Sequence, residues 1–216
     1  MNIGIILAGG IGSRFGSSIP KQYQLLLGKE VISYSIYALK KCNLIDKIIV
    51  IASSEQLSRL REDYCVEVVE GGETRNRSLY NGLVYINKNY DCDKVIVLEA
   101  ARPMVTSDIV TAYLNKLDSY DAVITGKKIT DSLGCFKAHY VNRDDYYLIQ
   151  APEAFRFKLL FDNFDQNSEI TATNQQLPNS AGLYINFDFE DNYKITYHSD
   201  LRFCEDILKR RNNGGL

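Results

Sequence analysis

A glycine-rich turn with two nearby cations begins at residue 7 and has the composition of a phosphate-binding loop. The run Leu7-Ala8-Gly9-Gly10 follows a short apolar stretch, and Gly12, Arg14 and Lys21 come after it. Small residues let backbone N–H groups approach an anion without interference from side chains. Arg14 and Lys21 add fixed positive charge, which suits a triphosphate that becomes more charged at the breaking bond, so both are predicted to be catalytic. The predicted nucleotide ligands in the turn are Leu7, Ala8, Gly9, Gly10 and Gly12.

Two common phosphate loops do not match this turn. The Walker A pattern requires Gly-Lys-Ser or Gly-Lys-Thr after four spacer residues, and the chain has no such sequence here. The dinucleotide pattern G-x-G-x-x-G fits Gly10 and Gly12, but Phe15 stands where the third glycine is required. The turn therefore predicts a nucleotide site of a different kind.

A carboxylate stands at the end of a later apolar run. Glu99 follows residues 95–98, and Arg102 comes three positions after it. Doubly wound sheets bind their ligands at the carboxyl ends of strands, so Glu99 and Arg102 are predicted to contact substrate. A carboxylate there can also bind Mg²⁺ that bridges nucleotide phosphates, which makes Mg²⁺ the predicted cofactor. A purely structural Glu99–Arg102 ion pair is the alternative.

Alternating apolar strand patterns and amphipathic helix patterns surround these residues. They predict an α/β fold, a Rossmann-like three-layer sandwich with a mostly parallel sheet, in one domain over 1–216. The strands are expected over 3–7, 47–52, 66–69, 95–98, 122–126 and 183–189. The helices are expected over 31–41, 55–64, 75–86, 108–117, 157–164 and 200–211, with Ser199 as N-cap of the last.

The segment 127–151 interrupts this alternation. It is polar, rich in tyrosine and without a helical period, which predicts an arm protruding from the sheet, with two β-strands. Aromatic residues on such an arm need burial elsewhere, and a second copy of the chain can supply it. The arm therefore predicts a homodimer.

Composition limits the function classes. The net charge of −2 gives no bulk attraction to nucleic acid or to an anionic membrane surface. No apolar run approaches the length of a membrane span, and the N-terminus carries no export signal, so a cytoplasmic protein is expected. The five cysteines are scattered without C-x-x-C spacing, which predicts neither a disulfide framework nor a zinc site.

Four segments, in order, carry a family resemblance. They are LAGGIGSRFGSSIPKQY at 7–23, GGETRNRSLYNGL at 71–83, EAARP at 99–103 and DNYKIT at 191–196. Together they resemble the cytidylyltransferases that make 4-diphosphocytidyl-2-C-methylerythritol, and their relatives that act on ribitol 5-phosphate. The resemblance spans nearly the whole chain. It implies an enzyme that transfers CMP from CTP to a small polyol phosphate and releases pyrophosphate.

The resemblance also implies roles for individual residues. It implies that Lys194 is a second catalytic lysine, in contact with the α-phosphate of CTP. It also implies that Ser132 and Arg143, on the arm, contact the substrate phosphate bound by the neighbouring subunit. The active site would then be shared across the dimer. The remaining nucleotide-binding residues that it implies are Gly71, Gly72, Ser78 and Ala100. Taken alone, the Gly71-Gly72 segment also fits a plain turn before a helix.

Several positions depart from the family pattern. Glu99 stands where the family usually has Asp, and Ala151-Pro152-Glu153 stands where it commonly has Thr-Pro-Gln. The loop 171–176 lacks the acidic residues usual there. These changes concern the acceptor side, so another polyol phosphate or a phosphonate stays open as acceptor. A sugar-1-phosphate nucleotidyltransferase and a CTP-binding module without turnover are the alternatives.

Overall fold

A seven-stranded sheet forms the centre of the protein. The computed structural model describes residues 1–10 and 12–212, without the side chains of Ser13 and Asn212. The strand order in the main sheet is β5-β4-β1-β6-β8-β7-β9, and β2 and β3 form a separate small hairpin. The strands are β1 Asn2–Leu7, β2 Leu25–Leu26, β3 Lys29–Glu30, β4 Lys47–Ala52, β5 Glu67–Glu70, β6 Lys94–Glu99, β7 Ala122–Lys128, β8 Tyr147–Arg156 and β9 Leu183–Asn186. The helices are α1 Val31–Lys41, α2 Leu57–Tyr64, α3 Arg75–Asn89, α4 Ser107–Lys116, α5 Phe157–Asn163 and α6 His198–Asn212.

The sheet is mostly parallel, which confirms the predicted fold class. β1 pairs in parallel with β4 and with β6, and β4 pairs in parallel with β5. β8 is antiparallel to both of its neighbours, β6 and β7, and β7 is parallel to β9. Strands such as β1 and β6 are apolar on both faces because helices cover both, and side chains of the sheet pack into two hydrophobic cores.

The region after β7 differs from the sequence-based prediction. β7 extends to Lys128 and β8 begins at Tyr147, so only residues 129–146 lie outside the main sheet. Ala151, predicted at the end of the arm, is a buried residue within β8. Side chains from distant parts of the chain bury this strand, and its own sequence, interrupted by Pro152, does not have the pattern of a buried strand.

The start of the last helix also differs from the prediction. α6 begins at His198, so Ser199 lies in its first turn and the predicted N-cap is wrong. Oδ2 of Asp200 accepts hydrogen bonds from the backbone N–H groups of Thr196 and Tyr197, at 2.8 Å each. A carboxylate of the first turn thus satisfies donors that precede the helix. No helix in the described part of the chain is long and apolar enough to cross a membrane.

Candidate active site

A cavity of about 490 Å³ opens at the carboxyl ends of the central strands. The glycine-rich turn after β1 forms one wall, and the segment between β5 and α3 forms another. The turn after β6 and a lysine beyond β9 complete it. The lining residues are Leu7, Ala8, Gly9, Gly10, Lys21, Gln22, Gly72, Glu73, Thr74, Arg75, Ser78, Glu99, Ala100, Ala101 and Lys194.

Backbone and side-chain hydrogen bonds fix the glycine-rich turn. Ala8 N donates to the carbonyl of Ile51 at 2.7 Å, which ties the turn to β4. The buried Gln22 amide donates to the carbonyls of Ala8 and Gly10, at 2.7 and 2.9 Å. These two hydrogen bonds fix Gln22 against the turn, so the adjacent Lys21 lies at the edge of the cavity.

Glu99 joins two cations at the end of β6. Its Oε2 lies 2.8 Å from Nζ of Lys194 and 3.0 Å from Nε of Arg102. Arg102 is buried, and its Nη1 donates to the carbonyl of Asn192 at 2.8 Å. Ile195 N donates to the carbonyl of Ala101 at 2.9 Å, which places Lys194 next to the turn that follows Glu99.

The electrostatics of these groups are coupled. Burial opposes ionisation of Glu99, but the charges of Lys194 and Arg102 outweigh it and hold the pKa of Glu99 at about 2. Burial lowers the pKa of Lys21, and the positive charge of Lys194 lowers it further. Two lysines and one carboxylate thus share a small volume, where an anion of high charge would be stabilised.

The Gly71-Gly72 segment forms the opposite wall. Gly72 N donates to Oγ of Ser78 at 3.0 Å, and this hydroxyl in turn lies 3.2 Å from the carbonyl of Gly72. A Cβ at Gly72 would lie 2.5 Å from Cβ of Arg77, so only glycine fits this approach to α3. Thr74 accepts a hydrogen bond from Arg77 N and caps α3. Gly71 does not line the cavity, and its N–H donates to the carbonyl of Ala52 at 2.8 Å.

A second, smaller compartment of about 250 Å³ adjoins the first. Arg75, Glu99 and Lys194 line both compartments and therefore lie at their boundary. The other lining residues of the second compartment are Arg102, Ile149, Gln150, Ala151, Glu153, Thr171 and Ala172. We name the two the first and the second compartment.

Glu153 lines the second compartment with a buried carboxyl group. It is 2% exposed, and its Oε2 lies 3.3 Å from Nη2 of Arg75. Burial raises the pKa of Glu153, and the charge of Arg75 and the hydroxyl of Thr173 oppose that shift. The carboxyl group of Glu153 therefore has its partner, Arg75, within the chain.

Some predicted site residues lie elsewhere. Arg14 is exposed on the short turn Ser13–Phe15 and does not line the cavity, although its charge contributes to the lowered pKa of Lys21. Gly12 has a left-handed φ of 66° and packs against Lys21. Ser132 and Arg143 are exposed on the segment 129–146, where Arg143 donates to the carbonyl of Thr130.

Several lining residues received no role from the sequence, and Gln22 and Arg75 are the two with the most contacts in the site. Gln22 and Arg75 both belong to segments that carried the resemblance, yet each makes its contacts with residues distant in sequence. Arg75 and Glu153 are 78 positions apart, and a single sequence gives no signal for such a pair. Gln22 could have been assigned to the site because it directly follows the predicted catalytic Lys21.

The sequence profile described as "2-C-methyl-D-erythritol 4-phosphate cytidylyltransferase" matches residues 3–210. The chain belongs to this family. An enzyme of that name from Clostridium botulinum strain 657 is 31% identical over 224 residues, covering 95% of this chain and 96% of its relative. One from Lachnoclostridium phytofermentans is 32% identical over 225 residues and covers 95% of both chains.

Solved structures agree with the fold. The 4-diphosphocytidyl-2C-methyl-D-erythritol synthase of Anaerococcus prevotii superposes with a TM-score of 0.81 at 24% identity, covering 97% of this chain and 96% of that one. The bifunctional IspDF of Campylobacter jejuni gives a TM-score of 0.80 at 26% identity, covering 93% of this chain and 53% of that one. Family membership confirms the predicted enzyme class, a CTP-dependent cytidylyltransferase.

Proposed function

We propose that this cytidylyltransferase transfers CMP from CTP to a small polyol phosphate of the 2-C-methylerythritol 4-phosphate type. One observation carries the proposal. The glycine-rich turn, Lys21, Lys194 and Glu99 surround one cavity, and that cavity joins a second compartment through the shared residues Arg75, Glu99 and Lys194. Two substrates can therefore meet at a boundary lined by cations.

The reaction is an in-line exchange at the α-phosphorus of CTP. A phosphate oxygen of the acceptor forms a new P–O bond, the bond from the α-phosphorus to the bridging oxygen breaks, and pyrophosphate leaves with that electron pair. No covalent intermediate with the enzyme is needed, so the protein acts by positioning and charge neutralisation. The acceptor phosphate and the CTP tail are both anions, and their approach is unfavourable without cations between them.

Lys21 and Lys194 supply that charge in our proposal. Lys21 lies beside the glycine-rich turn, where the triphosphate would contact backbone N–H groups of Gly9 and Gly10. Lys194 lies at the boundary, where the acceptor would approach the α-phosphate. Arg14 is on the outer side of the turn, from where its long side chain would reach the phosphates of bound CTP.

The described residues would hold Mg²⁺ only together with phosphates of the substrate. Among the residues that the structure describes, no three His, Cys, Asp or Glu side chains are grouped to hold a metal ion. Mg²⁺ in nucleotide sites is often held by one or two carboxylates together with substrate phosphates, and Glu99 would provide such a carboxylate. When bound, Mg²⁺ would offset negative charge on the CTP phosphates.

The arm would complete the active site across a homodimer. Residues 129–146 carry exposed aromatic side chains, including Phe136, Tyr140 and Tyr146. Burial of these side chains against a second copy would favour association. Ser132 and Arg143 would then contact the acceptor phosphate bound by the partner subunit. We expect a dimeric mass by light scattering, and a monomer at assay concentration would remove this part of the proposal.

A pyrophosphate-release assay with CTP, Mg²⁺ and a panel of acceptors tests the function. The panel contains 2-C-methylerythritol 4-phosphate, ribitol 5-phosphate, glycerol 3-phosphate, a polyol phosphonate and a sugar 1-phosphate. We expect the highest kcat/KM with 2-C-methylerythritol 4-phosphate, and UTP in place of CTP should support little release. A higher kcat/KM with another acceptor would contradict the proposed substrate and would assign the enzyme to that acceptor.

A further inference from the structure

The turn that carries Arg14 ends in a buried aromatic side chain. Phe15 is 6% exposed, whereas Arg14 and Gly16 on either side of it are exposed. Phe15 N donates to the carbonyl of Gly12 at 2.8 Å, which closes the short turn. The Phe15 ring belongs to one of the two hydrophobic cores. Because the two residues are adjacent, a shift of this ring would also move Arg14.

The C-terminal helix supplies a partner for the Phe15 ring. The imidazole of His198 stacks on it, with ring centroids 5.4 Å apart and the planes at 27° to each other. Because His198 is exposed and Phe15 is buried, the imidazole covers Phe15 on the solvent side. Aromatic pairs of this kind are favourable beyond the apolar area that they bury. His198 is the first residue of α6, and the buried Cys204 and Ile207 anchor this helix in the core.

The segment that leads into α6 carries Lys194, four residues before His198. Hydrogen bonds hold the stretch between the two residues. Ile195 N donates to a carbonyl of the turn after β6 at 2.9 Å. The carboxylate of Asp200 accepts from the two backbone N–H groups that precede His198, at 2.8 Å each. The aromatic stack therefore joins the turn that carries Arg14 to the segment that carries this lysine.

Cations on these segments repel one another before CTP binds. Burial lowers the pKa of Lys21, and the positive charges of Lys194 and Arg14 lower it further, against the opposing charge of Glu99. Repulsion among the three cations favours movement of the exposed Arg14 turn away from the cavity, and a bound triphosphate would remove this repulsion. In the protein without CTP, the stack offsets the repulsion and keeps the turn in place.

We propose that His198 is a positioning residue for CTP binding, because its stack on Phe15 holds the turn that carries Arg14 against the segment that carries Lys194. The inference rests on the CTP site of the proposed function and not on the identity of the acceptor. If the turn takes the binding position in only a fraction of the molecules, the apparent Kd for CTP rises in proportion. Once CTP is bound, its phosphates hold the turn, so the rate at saturating CTP should change little.

The experiment measures the CTP Kd by titration calorimetry with Mg²⁺, and kcat by pyrophosphate release with 2-C-methylerythritol 4-phosphate. His198→Ala removes the stack, whereas His198→Phe keeps an aromatic ring but has no side-chain N–H group. Phe15→Leu and the double variant with His198→Ala test whether the two residues act together. Tyr197→Ala is the matched control, since Tyr197 is the adjacent aromatic residue and is 54% exposed. Thermal melting of each variant shows whether it is folded.

In His198→Ala we expect the CTP Kd to rise about three- to tenfold, with kcat changed less than about twofold. His198→Phe should keep the Kd within about twofold of the wild-type value, which would not be so if the imidazole itself bound phosphate. In the Phe15→Leu background, His198→Ala should raise the Kd less than about twofold, because the stack is already lost. If Phe15→Leu does not fold, the comparison of His198→Ala with His198→Phe decides. Tyr197→Ala should match the wild-type protein.

Three results would overturn the inference: a wild-type CTP Kd in His198→Ala, an equally weakened Kd in His198→Ala and His198→Phe, or a fall in kcat with an unchanged Kd. A lower melting temperature with a wild-type Kd would show that the stack is purely structural. The calorimetric titration contains no acceptor, so these results are distinct from failure of the proposed function. If the wild-type protein bound CTP but released no pyrophosphate with 2-C-methylerythritol 4-phosphate, the proposed acceptor would be wrong and the Kd values would still test His198. A wild-type protein that did not bind CTP would contradict both proposals.

Discussion

Replacing Glu99 by glutamine should destabilise the protein in a manner that depends on pH. The carboxylate lies 2.8 Å from Lys194 and 3.0 Å from Arg102, and its side chain is 18% exposed. These cations lower the pKa of Glu99 from an ordinary value of 4.5 to about 2. A carboxyl group with a depressed pKa in the folded state stabilises that state above its unfolded pKa, and the contribution is lost as pH falls through the folded value.

The difference in pKa corresponds to roughly 3 kcal/mol at pH 7 and to about 2 kcal/mol at pH 3.5. The assay is urea unfolding of the wild-type protein and Glu99→Gln at both pH values. We expect the variant to lose about this much free energy of unfolding at pH 7 and distinctly less at pH 3.5. Glu205→Gln is the control, because Glu205 forms an exposed pair with Lys209 on one helix, and such pairs contribute little. An equal loss at both pH values would refute the electrostatic explanation and leave only a packing effect.

Two further predictions concern the turn and the sheet. Gln22→Leu should raise the CTP KM about tenfold in the pyrophosphate assay, since two neutral hydrogen bonds to the turn are lost. Gln24→Leu leaves these bonds intact and should not change the CTP KM. Equal CTP KM values in the two variants would contradict the role of Gln22. Gly126→Ala should lower the free energy of unfolding by about 1–3 kcal/mol, because its Cβ would lie 2.6 Å from Phe187 and 2.7 Å from Ile185. Gly134→Ala, which meets nothing within 4 Å, is the control for urea unfolding, and equal stability of the two variants would show that the sheet adjusts freely.

The sequence predicts the parallel part of the sheet well. Strands such as β1 and β4 are continuous apolar runs bounded by turn residues, so local pattern and tertiary burial agree. β8 could not be found in this way. Its residues include Pro152 and the buried Glu153, and its place between β6 and β7 depends on pairing with strands far away in the sequence.

Within the site, too, features that follow from local sequence are predictable and contacts between distant segments are not. Glu99 and the glycine-rich turn are predictable because they stand next to strand ends, where chain direction alone places them at one edge of the sheet. Lys21 was predicted as a cation of the same loop, and the contacts of the neighbouring Gln22 bring it to that edge. The Arg75–Glu153 pair, the Gln22 contacts and the double pairing of Glu99 arise from packing between elements. Lys194 was predicted only through the family resemblance, since its own segment has no strand pattern that points to the edge.

Lys21 tests the central claim most directly, namely that cations beside the glycine-rich turn neutralise charge during CMP transfer. The measurement is the rate of pyrophosphate release by Lys21→Ala at saturating CTP and 2-C-methylerythritol 4-phosphate, with the exposed Lys29→Ala as control. We predict a fall of about 100-fold or more for Lys21→Ala and a normal rate for Lys29→Ala. A Lys21→Ala rate close to that of the wild-type protein would contradict the account.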